Sequence, residues 1–554
     1  MHAPLLRNSP PFRLLRLVGT LLPIAAAGYA LVRLIQFPDW VVDDAFIAFR
    51  YTENLLLHGE LNWNPGEDPV EGYTGIMLPV LLALLSLLGL TPQTGSHLLG
   101  ATSYIATATL FWLFARQLGI RSWLTHLIWA VWLTYPALFT HATSGMETLA
   151  FTALLTGTLM LLHKALGQAP EHNPAITAAL LISLATGLTR PEGALMMALG
   201  FLVLLDHGRR HKAFRSTVVR ILALAFLPGL VYFLWRFHYY GQLLPNTFYV
   251  KSASIEALIN ADSISALRWF LQDTLFFPIL ASGTIWLPFL ASPRNTRSSE
   301  VADGRAPGSI LLTPTARIAT ITALFVTVVI ALYLHSYLAM NYSHRFFVPL
   351  LPPLLLGCGL ALEQGVRRLD RRTISLSTMT VLGVATAALV FQIGLNIRNL
   401  QKELNYVGFY RQLMNDEHIA IGRLLGSVFR PDETLSVMSD AGAMPYFSRM
   451  RTIDYGSLNS KILARGNLNE KTSIDYFFDT NSVVLVFTSH DPDPDKAYGA
   501  RYRRDPRFGQ YRLYRIFGNS AGRDYYQVMY VRRDAFSRLP PPPEETSGKD
   551  HSFQ

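Results

Sequence analysis

Apolar runs of about 20 residues recur from position 17 to about 396 of this 554-residue chain, and few folds accommodate them. A helix rises 1.5 Å per residue, so about 20 apolar residues cross the roughly 30 Å hydrocarbon core of a bilayer. Half of all residues are hydrophobic and only 16% are charged, against about 25% charged in soluble domains. The sequence therefore predicts a polytopic α-helical membrane protein with a more polar C-terminal part. Expected spans lie near 17–36, 97–115, 123–140, 148–166, 174–189, 192–206, 217–237, 266–291, 317–338, 346–366 and 375–396. The N-terminal run resembles a signal peptide, but it continues through LVRLIQF to about 37, which favours an uncleaved first span.

The segment 75–90, GIMLPVLLALLSLLGL, holds only about 16 residues and contains Pro79. It is short for a span and long for a loop. Charge decides its fate. If it does not cross, one side receives Arg7, Arg13, Arg16, Arg116, Arg121, Lys164, Arg209, Arg210, Lys212, Arg215, Arg294, Arg297, Arg305, Arg317, Arg367, Arg368, Arg371 and Arg372. The short loops of the other side receive little beyond Arg50, Arg190, Lys251 and Arg345. Basic loops mark the cytoplasmic side. The expectation is about eleven spans, with a cytoplasmic N-terminus and the C-terminal part outside, as in a bacterial inner membrane.

The domain reading follows. Residues 1–396 form the transmembrane part, with 38–96 as an external loop carrying interfacial helices. Residues 397–539 read as a small external α/β domain, because helical patterns near 404–429 precede strand-like runs at 434–438, 482–487, 511–517 and 525–531. Residues 540–554, rich in proline and charge, read as a disordered tail. The single cysteine, Cys358, permits no intrachain disulfide. The net charge of +10 sits largely in topology-setting loops, and no nucleic-acid motif accompanies it.

Nearly all polar residues of chemical interest fall on the external side. Asp43 and Asp44 stand just past the first apolar run and open the carboxylate-rich stretch DDAFIAFRYTENLLLHGELNWNPGEDPVEGYTG. Carboxylates at a membrane edge are costly unless they face water, a cation or a reacting group. The following segment, with Phe46, Phe49, Leu55, Leu56 and Leu57, has the spacing of an amphipathic helix lying in the membrane interface. One aspartate suffices as its cap. The second is available as a general base, or the two together suit a hard divalent cation. No His/Cys spacing points to zinc.

Glu53, Glu71, Tyr73 and Glu147 are further loop candidates. Arg190, Glu192, Lys251, His344 and Arg345 are placed to hold a phosphate, or to form structural ion pairs at the membrane edge. The stretch LWRFHYYGQLLPNTFYVK, with Tyr240 and Asn246, reads either as an aromatic belt or as the wall of a groove for a sugar or isoprenoid chain.

Taken in order, DDAFIAFRYTENLLLHGELNWNPGEDPVEGYTG, SGMET, TRPEG, YYGQLLPNTFYVK, HRFFVPLLPPL and SDAGAMPYFSRMRTIDYGSLN resemble the C-type (GT-C) superfamily of membrane glycosyltransferases. The resemblance is to the group containing the mycobacterial arabinofuranosyltransferases that use decaprenyl-phospho-arabinofuranose. It implies a polyprenyl-phosphate sugar donor, an extracytoplasmic glycan, lipid or protein acceptor, and inverting transfer with Asp43 or Asp44 as base. Dependence on a divalent cation stays open on the sequence. Two other readings remain open on the residues alone: a transporter or flippase of lipid-linked sugars, and a non-catalytic envelope assembly protein acting through residues 397–540.

Overall fold

The computed structural model describes residues 10–252, 259–284, 313–338, 340–370, 376–465, 469–518, 522 and 524–541, without the side chains of 10–20, 251–252, 369–370 and 376–379. The expected tail lies almost wholly outside the described residues. The chain divides into two compact units by contacts. The first comprises Met1–Val41, Thr74–Leu243 and Lys251–Val407; the second comprises Val42–Tyr73, Leu244–Val250 and Gly408–Gln554.

The first unit is helical. Among the described residues, six helices are long and apolar enough to cross a membrane: Pro92–Gln117, Thr148–Leu166, Phe214–Tyr240, Pro314–His335, Tyr342–Arg368 and the apolar part of Thr380–Val428. The other expected spans fall on shorter or more polar helices, including Leu21–Gln36, Ser122–Leu133 and Pro174–Thr189. The expected span 266–291 runs past Thr284 into residues outside the described set. The helix in the ambiguous segment covers only Met77–Leu87. Its 11 residues rise roughly 16 Å, about half of what a bilayer requires.

Proline and glycine punctuate these helices. Pro92, Pro136, Pro174 and Pro191 each occupy a first-turn position, where the missing N–H costs nothing. Close packing demands glycine at Gly100: a Cβ there would lie 2.1 Å from the Ala142 carbonyl oxygen.

The second unit is built on a five-stranded sheet, β1 (Thr434–Met438), β2 (Arg451–Asp454), β3 (Val484–Ser489), β4 (Tyr511–Gly518) and β5 (Tyr526–Arg532). The order is β2-β1-β3-β5-β4. β1 pairs parallel with β2 and β3; β5 pairs antiparallel with β3 and β4. All six residues of β3 are buried, as expected of a strand covered on both faces. One core layer packs Phe477, Phe478, Leu485, Phe487, Tyr502, Phe508 and Tyr530.

The helix Asp43–His58 belongs to this second unit. It ends on Gly59 at φ 72, whose N–H bonds the Leu55 carbonyl at 3.1 Å, a left-handed cap that glycine adopts without strain. Phe46, Phe49, Tyr51 and Arg50 are buried. Leu56 and Leu57 near its end are exposed, but protein covers most of this helix. Arg50 shows why: its guanidinium lies over the Trp63 ring and donates to the carbonyls of Trp63, Pro445 and Met450 at 2.9, 2.6 and 2.8 Å. A buried cation so fully bonded pins the helix to protein on that side.

Candidate functional site

In the second unit, the first turn of the Asp43–His58 helix meets the turn that follows β1. Gly442 N–H donates to Asp43 Oδ2 and Ala443 N–H donates to Asp43 Oδ1, both at 2.8 Å. The Asp43 N–H in turn donates to the Tyr410 hydroxyl at 3.2 Å. A Cβ on Gly442 would lie 1.9 Å from the Asp43 carbonyl oxygen, so the approach requires glycine. Gly442→Ala is expected to push the two segments apart at a cost of about 1–3 kcal/mol. Thermal unfolding of the purified protein, with amide exchange at residues 43–46, measures it; unchanged exchange would refute the packing argument.

Behind this contact lies a charged network. His418 Nε2 is 3.2 Å from Asp440 Oδ2. The same oxygen accepts from the Thr488 hydroxyl and from Gln527 Nε2, each at 2.9 Å, and from the Tyr525 hydroxyl. His418 is only 2% exposed and sits in a π-helical segment, Met414–Ile419, a local irregularity frequent at functional positions. Residues from Gly408 on belong to the second unit and lie beyond the apolar part of the long helix.

The electrostatics follow from this geometry. Burial, together with the charges of Asp440 and Asp44, raises the Asp43 carboxyl to about 6, against the opposing pull of His418 and the Ala443 N–H. Burial disfavours the charged His418, but the bond to Asp440 and the charges of Asp440, Asp43 and Glu417 outweigh it and lift the imidazole to about 9. Burial likewise opposes ionisation of Asp440, yet the bonds from His418, Tyr525 and Thr488 hold it down to about 2. Asp454, fully buried, is raised by burial to about 6, although Gly456 N–H, Asn459 N–H and Asn459 Nδ2 all donate to it.

A histidine whose folded value is raised stabilises fully below its unfolded value near 6.5, and that stabilisation is lost as pH climbs through the folded value. The second unit is therefore expected to lose about 1–3 kcal/mol between pH 7 and pH 9. Melting temperatures across that range test this. A flat profile, or one unchanged in His418→Gln, would count against the ion pair.

Of the residues expected from sequence, the second unit gathers Asp43, Asp44, Glu53, Glu71, Tyr73 and Asn246. Asp44 is partly buried, and its charge acts on both Asp43 and Asp454. Glu53 accepts from the Tyr446 hydroxyl at 2.8 Å. Glu71 is buried, and its backbone carbonyl accepts from Asn246 N–H at 3.2 Å. Tyr73 packs edge-on against Tyr51. Asn246 Nδ2 donates to the Leu458 carbonyl at 3.2 Å.

The first unit gathers a different set. Arg190 lies between Glu147 (Nε to Oε1, 3.8 Å) and Glu192 (Nη2 to Oε1, 3.6 Å). Arg345 reaches the same Glu147 oxygen at 3.6 Å, and the Tyr333 hydroxyl donates to Glu192 at 2.5 Å. Both guanidinium groups sit over the Phe346 ring. Arg190 is 3% exposed, and its Nε and Nη1 find no hydrogen-bond acceptor among the described residues. Distances of 3.6–3.8 Å are Coulombic contacts rather than hydrogen bonds. The arrangement suits a buried anion with oxygens to share.

The turn leading to Arg345 is strained. Met340, Ser343 and His344 all have left-handed φ, at 62, 44 and 58°. Glu403 accepts from the Ser343 and Thr140 hydroxyls at 2.6 and 2.7 Å, and His141 contacts the Ser343 carbonyl at 2.9 Å. His344 itself faces Asp273 at 3.3 Å. Tyr240 is fully buried against Trp235 and Tyr239. The Lys251 side chain lies outside the described residues.

Sequence reasoning missed His418, Asp440, Asp454 and Glu403. Asp440 and Asp454 fall inside SDAGAMPYFSRMRTIDYGSLN, the quoted motif; His418 and Glu403 carry no local signal. Among the described residues, no group of three His, Cys, Asp or Glu side chains is placed to hold a metal ion.

The fold is shared with two solved proteins. ArnT from Cupriavidus metallidurans bound to undecaprenyl phosphate superposes with a TM-score of 0.57 at 14% identity, covering 95% of this chain and 100% of that one. The archaeal oligosaccharyltransferase AglB from Archaeoglobus fulgidus, in complex with an inhibitory peptide and a dolichol-phosphate, gives 0.50 at 10% identity over 84% and 69%.

In sequence, 228 residues are 29% identical to the terminal β-(1→2)-arabinofuranosyltransferase of Mycobacterium tuberculosis. That match spans 39% of this chain and about a third (35%) of the relative. A family model described as a domain of unknown function (DUF8728) matches residues 401–530. The chain is a multi-pass membrane protein of this fold.

Proposed function

We propose that this protein is an inverting glycosyltransferase that moves a sugar, arabinofuranose in the first instance, from a polyprenyl phosphate to a hydroxyl of an extracytoplasmic glycan, lipid or protein. The observation that carries the reading is the Asp43-Asp44 pair: two adjacent carboxylates in the first turn of a protein-covered helix, one of them raised to about 6. A base with a value near ambient pH is efficient, because it is both ionised and able to take a proton. Support for the donor class comes from the shared fold and from the arabinofuranosyltransferase likeness.

In this reading, Asp43-Asp44 removes the proton of the acceptor hydroxyl as its oxygen bonds the anomeric carbon. The bond from that carbon to the phosphate oxygen breaks, and polyprenyl phosphate leaves with the electron pair. Arg190, Arg345, Lys251 and His344 are the candidates for binding a phosphate, assigned on their chemistry as cationic or donor groups. Glu147 and Glu192 hold the arginines. Tyr240, Asn246, Glu53, Glu71 and Tyr73 are the further substrate-side candidates, assigned on residue type and motif.

Residues 1–396 then form the membrane-embedded catalytic part of a cytoplasmic-membrane protein with its N-terminus inside. Residues 397–539 form an extracytoplasmic domain, and 540–554 a tail.

The test is transfer by the purified protein. Polyprenyl-phospho-arabinofuranose, polyprenyl-phospho-hexoses and nucleotide sugars are offered separately with an envelope glycan acceptor. Transfer from a lipid-linked sugar with inversion at the anomeric carbon, read by NMR of the product, is expected. Transfer from nucleotide sugars alone, or from none of the lipid-linked donors, would overturn the reading.

A further inference from the structure

The second unit holds a titratable group that the transfer reaction does not itself use: a buried histidine paired to a carboxylate one turn away from the peptide groups that bind Asp43. We infer that the His418–Asp440 pair is a positioning device for the Asp43-Asp44 carboxylates, bracing the turn 439–443 and setting an imidazolium against the site. The inference rests on the proposed role of that pair as base.

Geometry carries it first. Asp440 is tied at one oxygen to Thr488 at the end of β3, to Tyr525 just before β5, to Gln527 at the start of β5, and to His418 on the π-helical segment. Two and three residues later come the N–H groups of Gly442 and Ala443 that bind Asp43. Ser439, immediately before Asp440, is held in the left-handed region at φ 92, a conformation that persists only where its surroundings enforce it. The Asp440 bonds supply that enforcement.

Charge carries it second. Among the described residues, the groups that act on Asp43 include Asp44 on its own helix, His418 on the π-helical segment, Asp440 on the turn, Tyr525 before β5, and Tyr410 on the long helix. His418 is the one cation in this set, beside Asp440 and Asp44. Glu417 adds to the field that keeps His418 protonated. Without the imidazolium, Asp43 keeps the charges of Asp440 and Asp44 and loses the opposing charge of His418. Its affinity for a proton then rises, by about one pH unit or more for a charge this close. The two adjacent aspartates interact, so the shift belongs to the pair.

The experiment compares full-length wild type with His418→Gln, His418→Lys and Asp440→Asn. Each is assayed for kcat across pH 5–9 and for KM of the lipid-linked donor. For His418→Gln, the acid limb of the kcat profile is expected to move up by about one unit, with donor KM within about twofold. His418→Lys, which keeps a cation, is expected to return the limb toward wild type, and Asp440→Asn to lower kcat at unchanged donor KM.

A folded His418→Gln protein with an unmoved limb would overturn the inference. If His418→Gln does not fold, Tyr525→Phe removes one donor from Asp440 and leaves both charges; unchanged kcat in that variant overturns the inference instead. Full activity in both Asp43→Asn and Asp44→Asn would sink the underlying base assignment. Loss of activity there combined with an unmoved limb in His418→Gln would sink this inference alone.

Discussion

Membranes carrying Asp43→Asn or Asp44→Asn are expected to transfer sugar from a labelled polyprenyl phosphate about 100-fold or more slowly, with the protein folded and present at normal level. General-base assistance contributes about 10²–10⁴ in rate, and an amide cannot accept the acceptor's proton. The substitution is nearly isosteric. In Asp43→Asn the new amide keeps one carbonyl oxygen for a peptide N–H and turns its NH₂ toward the other, so binding to Gly442 and Ala443 weakens without leaving a cavity. The two variants separate the roles of the two residues. A loss confined to Asp44→Asn makes Asp43 the group that holds the helix start, and a loss confined to Asp43→Asn makes it the base. Full transfer by both would sink the assignment.

The second large effect is expected in the first unit. Arg190→Met removes the guanidinium from between Glu147 and Glu192 and leaves two buried carboxylates under-compensated. Breaking a buried ion pair from one side costs about 3–5 kcal/mol, a large share of the stability of most proteins. The variant is expected to lose most of its folded yield in detergent, measured by size exclusion and thermal unfolding. Arg190→Lys tests function separately. It keeps the charge but loses the planar fork, so it is expected to fold and to raise the KM for the lipid-linked donor about tenfold or more. A lysine variant that folds with unaltered donor KM would make the cluster purely structural.

Much of the architecture was legible because a bilayer imposes length. The helices at 92–117, 148–166, 314–335 and 342–368 lie where apolar runs predict them. Within 75–90 the helix covers only Met77–Leu87, 11 residues. Four of the five strands were visible as alternating or β-branched runs. β2 was not: RTID has four residues and a mixed composition, and its pairing with β1 alone at the sheet edge makes it a strand.

The candidate site was legible in part. Asp43 and Asp44 stood out because charge at a membrane edge is costly, and Arg190, Glu192 and Arg345 stood out for the same reason. Their partners did not. Thr140, Ser343 and Glu403 look like ordinary polar residues until they meet. His418 looks like any helical histidine until Asp440, against the cost of burial, raises its affinity for a proton.

The sequence by itself determined that this chain is a multi-pass membrane protein with a polar α/β domain at its C-terminal end. It also determined that the chain's costly carboxylates follow the first apolar run. Hydrophobic length and charge asymmetry act locally along the chain, so they can be counted without a fold. Only the tertiary structure decided which groups those carboxylates face. Asp43 is bound by peptide groups 399 and 400 residues away, and its proton affinity is set by charges whose effect changes within a few ångströms.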